Sequence, residues 1–286
     1  MTPGTVVRFG VISDAHVAPP GSAPYRWHDA YRLDDSLDRF RRAVARCVAL
    51  GADALLIPGD VTHEGDPWAI DAIIAALAGS GRPAWVAGGN HDTRSGPDRL
   101  PEALAGADTT LVRGARPDGE PFRGIVIAGA HARPAGEGRY RSSPPRLGPS
   151  APRVWLTHFP VIPSADRLAA NGIQHAGDAI DRTDVAGALA TLEGPTIVVA
   201  GHLHVRDVLV DRSMLQLGSA ALVEPPCELS LIDIRRDADT LLVEMRCHGV
   251  DAIPDDGALP VLVDARSAWR HAPDRGWTRL PGPSEA

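Results

Sequence analysis

The sequence predicts an α/β protein whose first half builds a parallel sheet and whose second half adds a second, antiparallel one. Three observations carry that prediction. Val- and Ile-rich segments alternate with helical periodicity up to about residue 87, and such alternation favours a parallel sheet with helices on its face. Strand-like segments with no helix between them fill 206–248, which reads as a meander. Five apolar segments each run straight into Asp, Asn or His. Ligands bind at the carboxyl ends of strands in open α/β sheets, so five such ends point to one polar site at one sheet edge.

The elements follow in order. Val6–Ser13 is the first buried strand and delivers Asp14 and His16. The loop 18–30 contains Pro19, Pro20 and Pro24, which exclude helix. Leu33, Leu37, Phe40, Val44, Cys47 and Val48 recur at helical spacing, so an amphipathic helix spans about 32–50 and ends at Gly51. Strand 53–58 delivers Asp60. Ile70, Ile73, Ile74 and Leu77 mark a second helix, entered at Asp66-Pro67 and closed by Gly79. Strand 83–87 then delivers Asn90, His91 and Asp92. Residues 109–112 and 124–128 read as strands, and 133–152, rich in Pro, Gly, Ser and Arg, as a surface loop. Strand 154–157 delivers His158. Helices are expected near 164–170 and 178–192, the second capped by Asp178. Strand 195–200 delivers His202 and His204, and strands 205–210, 214–217, 228–234 and 240–247 complete the meander. A catalytic domain over 1–249 is expected, followed by a Pro-rich extension, 250–286, packed irregularly on it. The extension's Trp269 and Trp277 could cover the domain, overhang the site or join a homodimer.

Bulk properties exclude several classes. With 44% hydrophobic and 23% charged residues the composition is that of an ordinary globular protein. No stretch reaches the ~18 apolar residues of a membrane span. The N-terminus has no basic region to open a signal peptide. Three cysteines, Cys47, Cys227 and Cys247, make neither a CxxC motif nor a disulfide framework, so free thiols in the cytoplasm are expected. The formal charge of −7 argues against long nucleic acid, which calls for a basic face.

The strand ends hold the chemistry. His16, His158, His202 and His204 supply imidazole, Asp14 and Asp60 carboxylate, and Asn90 carboxamide, with no thiolate among them. Such N/O ligation suits Mn, Fe, Zn or similar ions in a catalytic site. Seven ligands are too many for one ion and natural for two that share a carboxylate. Asp14-x-His16 and His202-x-His204 alternate, so each pair can point one way if the chain is extended there. Gly59, Gly89 and Gly201 precede ligands, where the backbone must turn sharply or approach another segment closely.

Asp14-x-His16, Gly59-Asp60, Gly89-Asn90-His91-Asp92, His158 and Gly201-His202-x-His204, in this order, resemble the calcineurin-like metallophosphoesterase superfamily. The resemblance covers about residues 10 to 205 and implies two mixed β-sheets packed as a sandwich and flanked by helices in four layers. It also implies two divalent or trivalent metal ions. One would sit on Asp14, His16 and His204, the other on Asn90, His158 and His202, and Asp60 would bridge both. His91 would face the substrate phosphate and assist the leaving oxygen. The implied reaction is hydrolysis by a hydroxide bridging the ions, with no covalent enzyme intermediate. Gly59-Asp60-Val61-Thr62-x-Glu64-Gly65, Gly89-Asn90-His91-Asp92, Thr157-His158-Phe159-Pro160 and Gly201-His202-Leu203-His204, with the compact length, most resemble class III cyclic nucleotide phosphodiesterases. A small phosphodiester substrate is therefore expected. A glycerophosphodiester or phospholipid-headgroup hydrolase, a phosphomonoesterase, a nuclease and a non-catalytic metal-binding scaffold are the alternatives.

Five further residues lie near these motifs. Asp92 is expected to orient a neighbouring imidazole, and His63 is either a substrate-facing group or a polar loop residue. Tyr25 and Arg26 could wall the pocket, stacking on a base or holding a phosphate. His175 is a loop histidine that could reach it.

Overall fold

The computed structural model describes residues 4–24, 30–107, 110–148, 152–174, 176–211, 213–237, 239–251 and 261–281. Strand β1 (Val6–Val11) leads through the loop to helix α1 (Ser36–Ala49), which buries Phe40, Ala43, Val44 and Cys47 along one face. Strand β2 (Ala54–Ile57) is wholly buried. Helix α2 (Pro67–Gly79) begins where Asp66 accepts bonds from the amides of Trp68 at 2.9 Å and Ala69 at 3.3 Å. Proline at its first position suits a helix start, where no amide partner is lost. Strand β3 (Ala84–Val86), helix α3 (Leu100–Gly106) and strand β4 (Val112–Gly114) close the first half. β1, β2, β3 and β4 pair in parallel, as the alternation predicts.

The chain then moves to a second sheet. Strands β5 (Glu120–Phe122) and β6 (Ile125–Ala130) pair antiparallel, and β7 (Arg133–Pro134) and β8 (Tyr140–Arg141) form a small ribbon. Strand β9 (Arg153–Thr157), helices α4 (Ala165–Ala170) and α5 (Arg182–Ala190), and strand β10 (Thr196–Ala200) follow. Strands β11 (Asp207–Asp211) and β12 (Met214–Gly218) extend this sheet, giving the order β11-β12-β10-β9-β6-β5. Strands β13 (Glu228–Asp237) and β14 (Thr240–Gly249) return to the first sheet, where β13 lies antiparallel to β1. Strands β15 (Arg266–Ala272) and β16 (Gly276–Arg279) complete the order β16-β15-β14-β13-β1-β2-β3-β4.

The two sheets face each other across one apolar core, in which Phe9, Leu56 and Trp85 of the first meet Ile127, Leu156 and Val199 of the second. A second core lies between the first sheet and α1, α2 and α3, and a third packs α5 on the far side of the second sheet. The result is an α/β fold of mixed sheets flanked by helices, stacked as helix, sheet, sheet and helix. Each fully buried Leu or Ile in these layers contributes roughly 1.5–3 kcal/mol. No helix among the described residues is long and apolar enough to cross a membrane.

Five expectations need correction. The meander of 205–247 divides: β11 and β12 pair in the second sheet, β13 and β14 in the first. The stretch after residue 249 is not irregular throughout. β15 and β16 pair onto β14, and Trp269 and Trp277 sink into the core between the sheets, leaving neither ring for a second copy. Helix α5 starts at Arg182 behind Asp181, while Asp178 pairs with the Arg182 guanidinium at 3.3 Å instead of capping. The segment 133–152 does find packing: the Tyr140 ring stacks on Phe159 with centroids 5.9 Å apart. Of the strand expected over 109–112, only Val112 is strand, opening β4; Thr110 and Leu111 are not, and Thr109 lies outside the described residues.

Candidate metal centre

The segments that follow β1, β2, β3, β9 and β10 meet at one edge of the sandwich. The backbone past β1 runs beside that past β2: the amides of Asp14, His16 and Val17 donate to the carbonyls of Gly59, Asp60 and Val61 at 3.2, 3.0 and 2.9 Å. Gly201 N donates to His158 O at 3.0 Å, tying the two histidine-bearing loops of the second sheet together. The crossing between sheets is tight. A Cβ on Gly59 would lie 2.6 Å from His158 Nδ1, and one on Gly201 would lie 2.6 Å from Asp14 Oδ2. Glycine therefore precedes Asp60 and His202 because nothing larger fits.

Asp14, His16 and His204 bring donor atoms within 4.8 Å of one another, and so do Asp14, Asp60 and His158. His204 Nε2 lies 3.3 Å from Asp14 Oδ1, and His16 Nε2 lies 3.6 Å from Asp60 Oδ2. His158 Nε2 lies 3.3 Å from Asp60 Oδ2 and 3.0 Å from Asn90 Oδ1. Two donors on one ion, each at about 2.0–2.2 Å, stand about 3.0–3.5 Å apart when they subtend a right angle or slightly more. The observed spacings match that edge length. Both ring nitrogens of His16 and Nε2 of His202 are buried with no hydrogen-bond partner among the described residues. Buried polar atoms without partners are costly, and a cation would satisfy one nitrogen of each of these imidazoles. The residues present fit bound metal.

The extended alternation expected of Asp14-x-His16 does not occur. β1 ends at Val11, and Asp14, His16, Asp60, His202 and His204 have φ of 49°, 43°, 46°, 71° and 57°. Left-handed backbone at a residue with a Cβ costs about 1–3 kcal/mol and gathers at functional sites. The paired side chains still converge, through tight turns instead of a straight strand.

Electrostatics follow from burial and pairing. Burial alone would lower the proton affinity of His158 and His204. Asp60 and Asp14 outweigh it at His158, which rises to about 9, and Asp14 and Glu224 at His204, which rises to about 10. The same imidazoles hold the Asp14 and Asp60 carboxyls below the usual range against a large burial penalty. His16 is pushed well down by burial.

His91, buried, places Nδ1 3.0 Å from the carbonyl of His63, and its own amide donates to Asp60 Oδ1 at 2.8 Å. The Arg94 guanidinium reaches His91 Nε2 at 2.9 Å. Burial, helped by Arg94, keeps the His91 imidazole below its ordinary pKa. His63 is brought to the site, its ring centroid 5.7 Å from that of His16 and 5.5 Å from that of His91. Among the described residues Asp92 bonds no imidazole. Its oxygens accept from Thr62 N and Oγ1, both at 2.8 Å, and from Gly89 N at 2.7 Å, clamping the β2 and β3 loops together. Tyr25, Arg26 and His175 lie outside the described residues.

Three neighbours escaped the sequence reading. Glu224 sits against His204 Nδ1, the Tyr31 ring stacks on His204 with centroids 5.5 Å apart, and Arg94 covers His91. Arg94, three residues beyond His91, was the one within reach of local spacing.

No curated protein matches the sequence. Among solved structures, a dimetal phosphatase from Danio rerio is similar in fold, with a TM-score of 0.59 at 15% identity over 86% of this chain and 96% of that one. A phosphoesterase from E. coli aligns with a TM-score of 0.39 at 14% identity, over 82% of this chain and 91% of that one. The family model described as calcineurin-like phosphoesterase matches residues 7–206, the span that contains all five loops that meet at the site. The chain belongs to the calcineurin-like phosphoesterase family and is a metal-dependent phosphoric ester hydrolase.

Proposed function

We propose that the site binds two cations and hydrolyses a small phosphodiester. The observation that carries this reading is the donor spacing of 3.0–3.6 Å around Asp60 and Asp14. Asp14, His16 and His204 would hold one cation, Asn90, His158 and His202 the other, and Asp60 both. When bound, the pair supplies Lewis acidity to the phosphoryl oxygens and eases the loss of a proton from water. Manganese, iron or zinc suits the donor set.

The chain's own residues do the rest. Asp60 is aimed by the His91 amide at 2.8 Å. His91 is buried and neutral at neutral pH, so the positive charge at its edge comes from Arg94. That pair faces the leaving oxygen, His91 through its ring and Arg94 through charge. A cavity of about 400 Å3 opens beside His63, lined by Ala18, Pro19, Ser22, Glu64, Ser95 and Arg99 among others. A diester carries a second organic group that needs such room. This cavity and the motif resemblance around Gly59–Gly65 support a cyclic-nucleotide-like diester over a monoester. The charge of −7 weighs against a long polynucleotide. The free thiols of Cys47, Cys227 and Cys247 support a cytoplasmic setting.

The test is turnover of bis-p-nitrophenyl phosphate against p-nitrophenyl phosphate after chelation and reloading with manganese. Diester preference that is lost in Asn90→Ala and Asp60→Ala is expected. Monoester preference overturns the substrate class. No turnover with manganese, iron or zinc overturns the assignment of these residues to catalysis.

A further inference from the structure

His204 lies between two carboxylates. Its Nε2 faces Asp14 Oδ1 at 3.3 Å, on the cation side, and its Nδ1–H donates to Glu224 Oε1 on the other. Both partners are enclosed, with 8% of His204 and 9% of Glu224 exposed. The segment carrying Glu224 is fixed to the very loop that carries Asp14. Leu222 N donates to Ser13 O at 2.9 Å and Val223 N to Asp14 O at 3.1 Å, while Arg32 N donates to Val223 O at 2.9 Å. Tyr31 covers the remaining face of the imidazole, its ring tilted 29° from that of His204. His204 is thus held on three sides by groups that are themselves held.

A neutral imidazole has one nitrogen to donate with and one lone pair to offer. A carboxylate on Nδ1 keeps that proton in place, turns the Nε2 lone pair toward the ion and makes it more basic. Glu224 lies beyond residues 7–206, the span matched by the family model, so this support comes from outside the five motif-bearing loops. We infer that Glu224 is a positioning residue of the metal centre, which orients His204 and strengthens the hold on the cation of Asp14, His16 and His204 alone. The inference rests on the two-cation reading above.

The experiment titrates the metal-free protein with Mn2+ by calorimetry, for wild type, Glu224→Gln and Glu224→Ala, with ion content after dialysis measured by mass spectrometry. Glutamine keeps the shape and the acceptor but removes the charge. Wild type is expected to take two ions, and in both variants one ion weakens by about 10–100-fold while the second keeps its affinity. Because Glu224 also supports protonated His204 in the metal-free protein, some fall in the metal-free midpoint of Glu224→Gln is expected, and loss of affinity at one ion alone is what a merely structural role would not produce. Unchanged affinities for both ions overturn the inference, as does an equal weakening of both with a lowered midpoint. A wild-type protein that takes up fewer than two ions overturns the two-cation reading itself, whatever the variants do.

Discussion

Replacing Gly89 by alanine tests whether close approach of the β2 and β3 loops builds the site. A Cβ there would overlap the backbone nitrogen and Oδ1 of Asp60 and come within 2.8 Å of its Cγ. The backbone of Gly89 is outside the left-handed region, so the whole effect is steric. Neither clashing atom yields easily. Asp60 Oδ1 is held by the His91 amide at 2.8 Å, and the Asp60 carbonyl is bonded to His16 N at 3.0 Å. Overpacking a rigid contact costs about 1–3 kcal/mol, and the upper end applies where backbone must move. Gly187 is the internal control. It is exposed in α5, and nothing lies within 4 Å of a Cβ placed there. Alanine at that position should stabilise by about 0.4–1 kcal/mol, because it restricts the unfolded chain. Urea unfolding of the metal-free protein, followed by tryptophan fluorescence, reads both. The same chemical change should therefore act with opposite signs at the two sites. A Gly89→Ala protein within about 0.5 kcal/mol of wild type, against the expected overpacking cost, would refute the argument that this crossing leaves no room.

Three further outcomes follow. In the metal-free protein both nitrogens of His158 and of His204 face acceptors, and the two imidazoles sit at about 9 and about 10. A ligand histidine must offer a bare lone pair, so Mn2+ loading near neutral pH should release up to two protons. Calorimetry in buffers of different ionisation enthalpy measures this, and buffer-independent heats would contradict it. Because these pKa values are raised above the unfolded value, their contribution to metal-free stability is full below about pH 6.5 and lost as pH rises through 9 to 10. Trp277→Ala should cost about 3–5 kcal/mol, since the ring is buried in the central core and its Nε1–H donates to Ser213 O at 2.8 Å. A loss under about 1 kcal/mol, far below that range, would show that β16 is a dispensable attachment.

What the sequence disclosed depended on how local each signal was. Asp66-Pro67 and Gly79 bound α2 to the residue because caps act within one turn. That the seven candidate residues gather at one edge was legible because each follows a short apolar strand, and strand ends in an α/β sheet share an edge. Sheet membership was not legible for β13. Its partner is β1, more than 200 residues away, and a run of strands says nothing about which edge each one joins. In β15, Ser267, Trp269 and His271 are buried while their neighbours are not. That alternation is a strand signature, and the prolines around it concealed it. Glu224 and Tyr31 carry no motif at all. They reach His204 only because hydrogen bonds from Leu222 and Val223 bring the Glu224 segment against the Asp14 loop, and Arg32 N, beside Tyr31, donates to Val223 O.

The left-handed residues of the site show why the glycines and the acids had to be read together. Asp14, His16, Asp60, His202 and His204 all hold φ between 43° and 71°, at about 1–3 kcal/mol each. Local propensity opposes that arrangement at every one of them. It persists because the loops are bonded to one another and not merely to solvent: Asp92 joins the β2 and β3 loops, and the ladder of Gly59, Asp60 and Val61 carbonyls holds the Asp14–Val17 segment. The strain is thus distributed over two sheets that are each stable through their own cores. An extended Asp14-x-His16 would have pointed two side chains along one line, with no turn to bring Asp60 and His158 within 3.3–4.0 Å of the same carboxylates and imidazoles. Folding free energy from the buried layers is what holds the donors together before any cation arrives.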